Sequence, residues 1–147
     1  MSNTTNHVPV PVTLTKREYN GYSNSAQANK DGLHRAGKTF LRKLAARLGL
    51  EKGDFDVRSN VAGIAVSGEV TLHGDNIYMQ LFESFSGPGL QLMYRGCKHR
   101  RDYCGYQNMY ASMADLSDEH RQDEVIRRMK QAIKAAEDIS KLEPLAA

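Results

Sequence analysis

The sequence predicts an α+β fold in which a helix is followed by an antiparallel meander of three or four strands and then by a long C-terminal helix. Apolar residues recur at helical spacing towards both ends of the chain, alternate with polar residues in the middle, and are interrupted by turn residues between the alternating segments. Strands joined by short turns pair antiparallel. Because such a sheet usually buries one face, both helices are expected on one sheet face.

The first helix is predicted from about Asp31 to Leu48, with Asp31 as its N-cap and Gly49 as the residue that ends it. The segment before it, 19–29, is rich in Asn, Ser and Gly and is expected to be a loop. The apolar residues of this helix form one stripe, made of Leu33, Gly37, Phe40, Leu41, Leu44 and Leu48.

Four segments are predicted as strands, namely 55–58, 64–72, 77–82 and 90–94. Their alternation places Tyr78, Phe82 and Met93 on the face that the helices do not cover. This face is more apolar than an ordinary solvated one, so three interpretations stay open: residues 8–14 cover it, a second subunit covers it, or it is a binding surface.

The second helix is predicted from about Asp118 to Leu142, with Ser117 as N-cap and Pro144 as its end. Residues 1–15 are interpreted as a flexible or edge-strand tail, because prolines alternate with valines over 8–12. Residues 16–147 are assigned to one α+β domain. The sequence lacks an apolar run long enough to span a membrane and a secretory signal, so a cytoplasmic protein without a membrane partner is expected.

The positive charge is concentrated rather than large. The net charge is +3, but residues 1–58 hold 10 of the 20 basic residues and only 5 of the 17 acidic ones. On the first helix, Arg35, Lys38 and Arg42 lie opposite the apolar stripe. Two concentrated basic segments indicate a polyanionic partner, whereas an ordinary solvated helix face is the alternative for this one.

The second basic segment lies in the polar stretch that follows the last predicted strand. It combines cations with tyrosines, and its glycines permit close approach of the backbone. Arginine binds phosphate in a bidentate manner and tyrosine stacks on bases, which is typical of nucleic-acid contacts; a structural surface loop or a protein interface is the alternative. The candidate binding residues here are Arg95, Lys98, Arg100, Arg101, Tyr103 and Tyr106.

The same stretch contains Cys97, His99 and Cys104, but it lacks the second close cysteine pair typical of structural zinc. No orienting group for a Cys–His nucleophile and no pair of catalytic carboxylates can be named. The sequence therefore predicts no metal, no cofactor and no catalytic residues.

These features predict a non-enzymatic module that binds nucleic acid or another polyanion through the basic helix face and the Arg/Tyr-rich loop. The alternative is a protein-interaction or inhibitor protein, of the accessory type found in phages and plasmids, that uses the face with Tyr78, Phe82 and Met93 against a partner or as a homodimer. A third hypothesis is a small enzyme or ligand-binding protein whose pocket contains Arg95, Arg100 and Arg101.

Overall fold

A computed structural model describes residues 6–15, 24–60, 69–83 and 90–146; for 24–30, 60, 83 and 143–146 only the backbone is described. A short 3₁₀ turn (Val12–Thr15) precedes the long helix α1 (Asn24–Arg47). The strands are β1 (Phe55–Asn60), β2 (Glu69–Gly74), β3 (Ile77–Glu83), β4 (Leu90–Gly96) and β5 (Met109–Ser112). The chain then forms a one-turn helix α2 (Met113–Ser117) and the long helix α3 (Glu119–Ala146).

Each strand pairs antiparallel with the next, so the sheet is a meander in the order β1-β2-β3-β4-β5. This arrangement confirms the predicted α+β class and the order helix, meander, helix. The sheet has five strands where the sequence predicts three or four. The additional strand β5 follows the polar stretch, in residues to which the sequence analysis assigns no element.

Both long helices pack on one side of the sheet, which we call the covered face. α1 packs on β1 and β2, and α3 packs on β3 and β4. Gly37 permits the close contact of α1, because a Cβ at this position would lie 3.2 Å from side-chain atoms of both Val70 and Leu81. The residues of the covered face are almost inaccessible to solvent; they include Val70, Leu72, Ile77, Met79, Leu81, Leu92 and Tyr94.

The alternate residues of the same strands point away from the helices and form what we call the open face. The strand register aligns them in rows across the sheet, for example Arg58, Thr71, Gln80, Met93 and Tyr110. The next row contains Asp56, His73, Tyr78 and Arg95.

The N-terminal segment packs against the helices and not against the open face. Val8 and Leu14 are buried in the core, and the 3₁₀ turn contacts α1 and α2. The fully buried Gln122 of α3 bonds to both backbone groups of Val8, at 2.8 Å each, and donates to the Leu116 carbonyl at 2.7 Å. Arg47 of α1 donates to the same Gln122 Oε1 at 2.6 Å, so one amide joins the N-terminal segment to three helices.

The first helix begins earlier than predicted. It starts at Asn24, so the prediction of a loop up to residue 29 is wrong for 24–29, and Asp31 lies inside the helix and is not its N-cap. Ala26, Gln27 and Ala28 are strong helix formers, which explains why a segment rich in Asn and Ser continues the helix. The predicted end at Gly49 is confirmed: its φ is +85°, and the Gly49 and Leu50 amides donate to the Ala46 and Ala45 carbonyls in a Schellman motif.

The start of the C-terminal helix also differs from the prediction. Ser112 caps α2 in a capping box with Asp115, and Asp118 rather than Ser117 accepts the Arg121 amide at the start of α3. Pro144 does not end α3, which continues to Ala146. A proline in the last turn removes only one intrahelical hydrogen bond, so the helix can include it.

Candidate nucleic-acid interface

A pocket of about 390 Å³ lies on the open face, next to the loop 97–108 that joins β4 to β5. The buried Thr71 and His73 of β2 line it together with Tyr78 of β3. Arg58 enters from the edge strand β1 and Arg95 from β4. The lining is completed by Ser59, Glu69 and, from the loop, Tyr103.

Arg95 is held in place by the sheet and the loop together. Its guanidinium carbon lies 4.4 Å from the centre of the Tyr78 ring, a cation–π distance. Its terminal nitrogens donate to the Tyr103 carbonyl at 2.8 Å and to Asn108 Oδ1 at 3.2 Å. These contacts use two of the five N–H groups of the guanidinium.

Gly105 is required for this position of Arg95. Its φ is +62°, and a Cβ there would lie 2.6 Å from Arg95 Cδ and 2.7 Å from Nε. The Nε atom is buried without a hydrogen-bond partner in the described residues. The loop backbone therefore fits directly against the arginine side chain, and only glycine leaves space for it.

His73 lies between two arginines on the open face. Its Nε2 is 3.0 Å from Thr71 Oγ1, and its ring contacts Tyr78 edge to face at 5.2 Å. Burial lowers the pKa of His73 below 6.5, and the charges of Arg58 and Arg95 lower it further, while Asp56 opposes them. The imidazole is therefore neutral at pH 7, and the pocket carries its positive charge on guanidinium groups.

The positive charges of the pocket are not paired with carboxylates. Neither Arg58 nor Arg95 forms an ion pair within the part of the chain that the structure describes. The carboxylate of the lining, Glu69, accepts a long hydrogen bond from Gln80 Nε2 at 3.4 Å. The arrangement can therefore bind an anion through guanidinium donors that no described carboxylate contacts directly.

Two exposed tyrosines belong to the same side of the molecule. Tyr103 is 63% exposed and Tyr110 is 54% exposed, and they are the exposed large hydrophobic side chains among the described residues of the sheet and the 97–108 loop. Tyr110 also contacts Phe82 edge to face, with ring centres 6.2 Å apart. Exposed rings fixed next to cations provide flat surfaces on which a nucleobase can stack.

The basic loop residues predicted from the sequence do not all reach the pocket. Arg100 points to the β2–β3 turn, where it pairs with Asp75 at 2.8 Å and with Asp56 at 3.3 Å and donates to the Gly53 carbonyl. Arg95 and Arg100 thus contact different partners and do not converge on one pocket. Among the described residues, Asp102 forms no ion pair with an arginine; its carboxylate accepts the Lys98 and Gly105 amides at 2.9 and 3.0 Å, and these bonds lower its pKa.

The remaining loop residues differ in exposure. Lys98 and Arg101 are exposed. Tyr106 is half-buried: its ring packs over Gly96, its hydroxyl is buried, and its amide donates to the Gly96 carbonyl at 2.9 Å. A Cβ added at Gly96 would contact both α3 and the Tyr106 ring. Tyr106 therefore lies on the helix side of the sheet and not on the open face.

The predicted basic face of the first helix lies on the other side of the sheet. Arg35 and Arg42 are exposed and Lys38 is half-buried, all on α1, which packs on the covered face. Arg42 approaches the β1 edge, where it lines a pocket with Asp56, the carboxylate that Arg100 also contacts. The structure therefore does not combine the α1 cations with Arg95 in one surface.

The residues of the predicted interaction face share one side of the sheet but are largely packed. Tyr78, Phe82 and Met93 all lie on the open face, in the register that the alternation predicts. Met93 is only 8% exposed, and Tyr78 is covered by the Arg95 guanidinium. The exposed aromatic surface is instead contributed by Tyr103 and Tyr110.

The two cysteines differ in environment. Cys97 is buried, and desolvation, with a smaller effect of Asp102, raises the pKa of its thiol to about 11. It is therefore a protonated thiol at neutral pH and a poor nucleophile or metal ligand. Cys104 is exposed. Among the described residues, no group of three His, Cys, Asp or Glu side chains is placed to hold a metal ion.

Sequence reasoning missed Arg58, Glu69, Thr71 and His73 as parts of one site. The alternation already assigns Glu69 and Thr71 to one face, and the same rule applied to 55–58 would have placed Arg58 there as well. The predicted strand 64–72 stops before His73, although His73 lies within β2. The missing information was the pairing register between strands that are distant in sequence.

Comparisons of the chain with protein-family models, with curated proteins and with solved structures found no match. None of the helices in the described ranges combines the length and the apolar character needed to cross a membrane.

Proposed function

We propose that this protein is a non-enzymatic module that binds single-stranded nucleic acid on its open face and on the adjoining part of the 97–108 loop. The observation that carries the proposal is the combination of unpaired guanidinium groups with exposed tyrosine rings on one side of the sheet. The pocket around Arg58 and Arg95 adjoins Tyr103, and the same face continues to Tyr110 on β5.

Stacking requires rings that unpaired bases can reach. Tyr103 and Tyr110 expose more than half of their surface, so solvent and a ligand can reach both rings. Bases in a duplex are stacked on each other and do not offer their faces. The exposed rings therefore favour single-stranded over double-stranded ligands.

The cations are placed along the same surface. Strands in a sheet are about 4.8 Å apart, so the row from Arg58 on β1 to Tyr110 on β5 spans about 19 Å. This distance accommodates more than one nucleotide, with phosphates near Arg58 and Arg95 and bases near the tyrosines. Arg101 is exposed on the same loop as Tyr103 and adds a further positive charge to that loop.

The proposal leaves out the basic helix face, because Arg35, Lys38 and Arg42 lie on the opposite side of the sheet. Arg35, on the exposed surface of α1, is therefore remote from a strand bound on the open face. A substitution of Arg35 serves as a control, because it removes a positive charge but leaves the proposed binding surface unchanged.

Fluorescence anisotropy with a labelled oligothymidylate tests the proposal at several salt concentrations. We expect binding at low salt that weakens steeply as salt rises, because cations on the protein replace counter-ions on the strand. The double variant Arg58→Gln/Arg95→Gln should flatten the salt dependence by about 0.7 in slope per lost phosphate contact. Tyr110→Ala should weaken binding about 5- to 100-fold with an unchanged slope, because stacking is not a counter-ion effect.

The reference variant is Arg35→Gln on α1, which removes one exposed positive charge from the other side of the molecule. It should bind like the parent protein. Circular dichroism should show that all variants are folded. The proposal is overturned if the parent does not bind the oligonucleotide at low salt, or if Arg35→Gln weakens binding as much as the open-face variants do.

A protein partner on the same face is the second candidate function. It is favoured by the same exposure of Tyr103 and Tyr110, because tyrosine and arginine are the residue types most enriched at interface hot spots. Light scattering distinguishes the case of a homodimer. A dimer that dissociates in Tyr110→Ala, together with no oligonucleotide binding, would support this candidate instead.

A further inference from the structure

The pocket on the open face has an unusual balance of polar groups. Arg58, Arg95 and His73 bring three groups that donate hydrogen bonds when they are positively charged. The carboxylate of Glu69 is the one acidic group of the lining. The Tyr78 hydroxyl, which donates to Gln80 Oε1 at 2.9 Å, is kept neutral because burial, with a smaller effect of Glu69, raises its pKa.

Such a pocket fits a phosphate monoester better than a phosphodiester. A monoester carries about −1.5 to −2 charges at pH 7 and three acceptor oxygens. A diester inside a strand carries one charge and is attached on both sides. With His73 neutral, the two guanidinium groups and the Glu69 carboxylate give the lining a net charge of +1, and protonation of His73 would bring it to +2, which matches a monoester dianion. Guanidinium N–H groups also bind phosphate in a bidentate manner.

We propose that this pocket binds the terminal phosphate of the strand, and that His73 takes up a proton from solvent when it does. This inference rests on the proposed function, because it assigns one end of the bound strand to one part of the open face. The middle of the strand would then extend from the pocket towards Tyr110.

The proton uptake follows from the charges that surround His73. Arg58 and Arg95 face it from β1 and β4 and disfavour its protonated form, whereas Asp56 and Glu69 are the acidic groups nearby on β1 and β2. A phosphate dianion between the guanidinium groups would offset their effect and favour the imidazolium. The hydrogen-bond partner of His73, the Thr71 hydroxyl, can donate to the neutral ring or accept from the charged one, so the contact is compatible with both states.

The first experiment compares three oligothymidylates of equal length, with a 5′-phosphate, with a 3′-phosphate, and with hydroxyl groups at both ends. We expect one phosphorylated form to bind about tenfold tighter than the unphosphorylated one, because each hydrogen bond to a charged group changes affinity by about that factor. Arg58→Gln should abolish the preference. Lys130→Gln, which removes an exposed charge of α3 on the helix side, should retain it.

The second experiment follows the His73 imidazole by NMR as pH is varied, with and without inorganic phosphate, and with sulfate as an anion whose charge is constant over this range. His73→Gln identifies the signal. We expect both anions to raise the pKa of His73 in the parent and in Lys130→Gln, but not in Arg58→Gln. This experiment uses a free anion, so it also shows whether the pocket binds phosphate that is not attached to a strand.

The outcomes separate this inference from the proposed function. If all three oligonucleotides bind equally well, the terminal-phosphate assignment is overturned and the proposed function is retained. If none binds, the proposed function is overturned and so is the strand-end assignment; a rise in the pKa of His73 with inorganic phosphate then identifies a site for a free small phosphate. If neither anion changes the pKa of His73, the proton uptake is overturned.

Discussion

The two faces of the same sheet differ in the polarity and exposure of their side chains. On the covered face, residues such as Leu72, Met79 and Leu92 are fully buried and apolar. On the open face, the neighbouring residues Thr71 and His73 are buried but polar, while Tyr110 is exposed. One face is therefore an apolar core surface, and the other combines buried polar groups with exposed aromatic ones. Substitutions at adjacent positions of one strand should separate stability from binding.

The largest expected effect is on the covered face. Leu92→Ala should lower the free energy of unfolding by about 2–5 kcal/mol, because it removes buried methyl groups and leaves a cavity. The neighbouring Gln91→Ala, which points to the open face, should change it by about 0.5 kcal/mol or less. Urea denaturation measures both. Similar losses for the two variants would contradict the division of the sheet into two functional faces.

A second pair of variants tests the support of the open face by the loop. Gly105→Ala and Gly49→Ala both place a side chain at positive φ, which costs about 1–2 kcal/mol. Only at Gly105 does the new Cβ meet Arg95; nothing lies within 4 Å of the position at Gly49. Oligonucleotide affinity should therefore fall in Gly105→Ala and stay unchanged in Gly49→Ala. Equal affinities in the two variants would show that the position of Arg95 is not needed for binding.

The two adjacent arginines of the loop should also behave differently. Arg100→Ala removes contacts with Asp56, Asp75 and the Gly53 carbonyl, whereas Arg101 forms no ion pair among the residues described. Arg100→Ala should therefore lower the melting temperature more than Arg101→Ala, and Arg101→Ala should have the larger effect on the salt dependence of binding. Differential scanning calorimetry and anisotropy titrations give the two quantities. The reverse order in both would contradict the roles that their contacts indicate.

The smallest expected effect is the pH dependence that the open face contributes to stability. Because the pKa of His73 is below 6.5 in the folded protein, the unfolded chain binds more protons than the folded one as pH falls through this value. The free energy of unfolding is therefore not reduced by this group above about pH 6.5, and it falls as pH decreases below that value. His73→Gln should reduce the loss of unfolding free energy between about pH 7.5 and 5.5. An unchanged pH profile would show that His73 is not the group responsible.

The two faces could be predicted from the sequence, because alternation alone assigns Tyr78 and Met79 to opposite sides. The order of helices and strands along the chain was also predicted, because long apolar periodicities are strong local signals. Strand β5 was not predicted: it has four residues, Met109–Ser112, and follows a long polar loop without any alternation. A segment this short becomes a strand because β4 pairs with it, which is a tertiary effect.

The candidate site was predicted only in part. Arg95 and Tyr103 were identified by the unusual composition of their loop, and both line the pocket. The composition also indicated Arg100 and Tyr106, but these residues make intramolecular contacts, Arg100 with Asp75 and Tyr106 with Gly96. Composition shows which residue types are concentrated but not in which direction each one points. That direction depends on local bonds such as those of Asp102 to the loop backbone, which no periodicity reveals.

The buried amide of Gln122 has a consequence for the way the molecule opens. Its hydrogen bonds join the Val8 backbone, Arg47 and the Leu116 carbonyl, so none of these segments can separate without breaking a bond inside the core. Hydrogen exchange of the Val8 amide should consequently be slow, close to that of the core helices, although the residue lies near the start of the chain. The N-terminal segment and the helix layer would then open together as one cooperative unit.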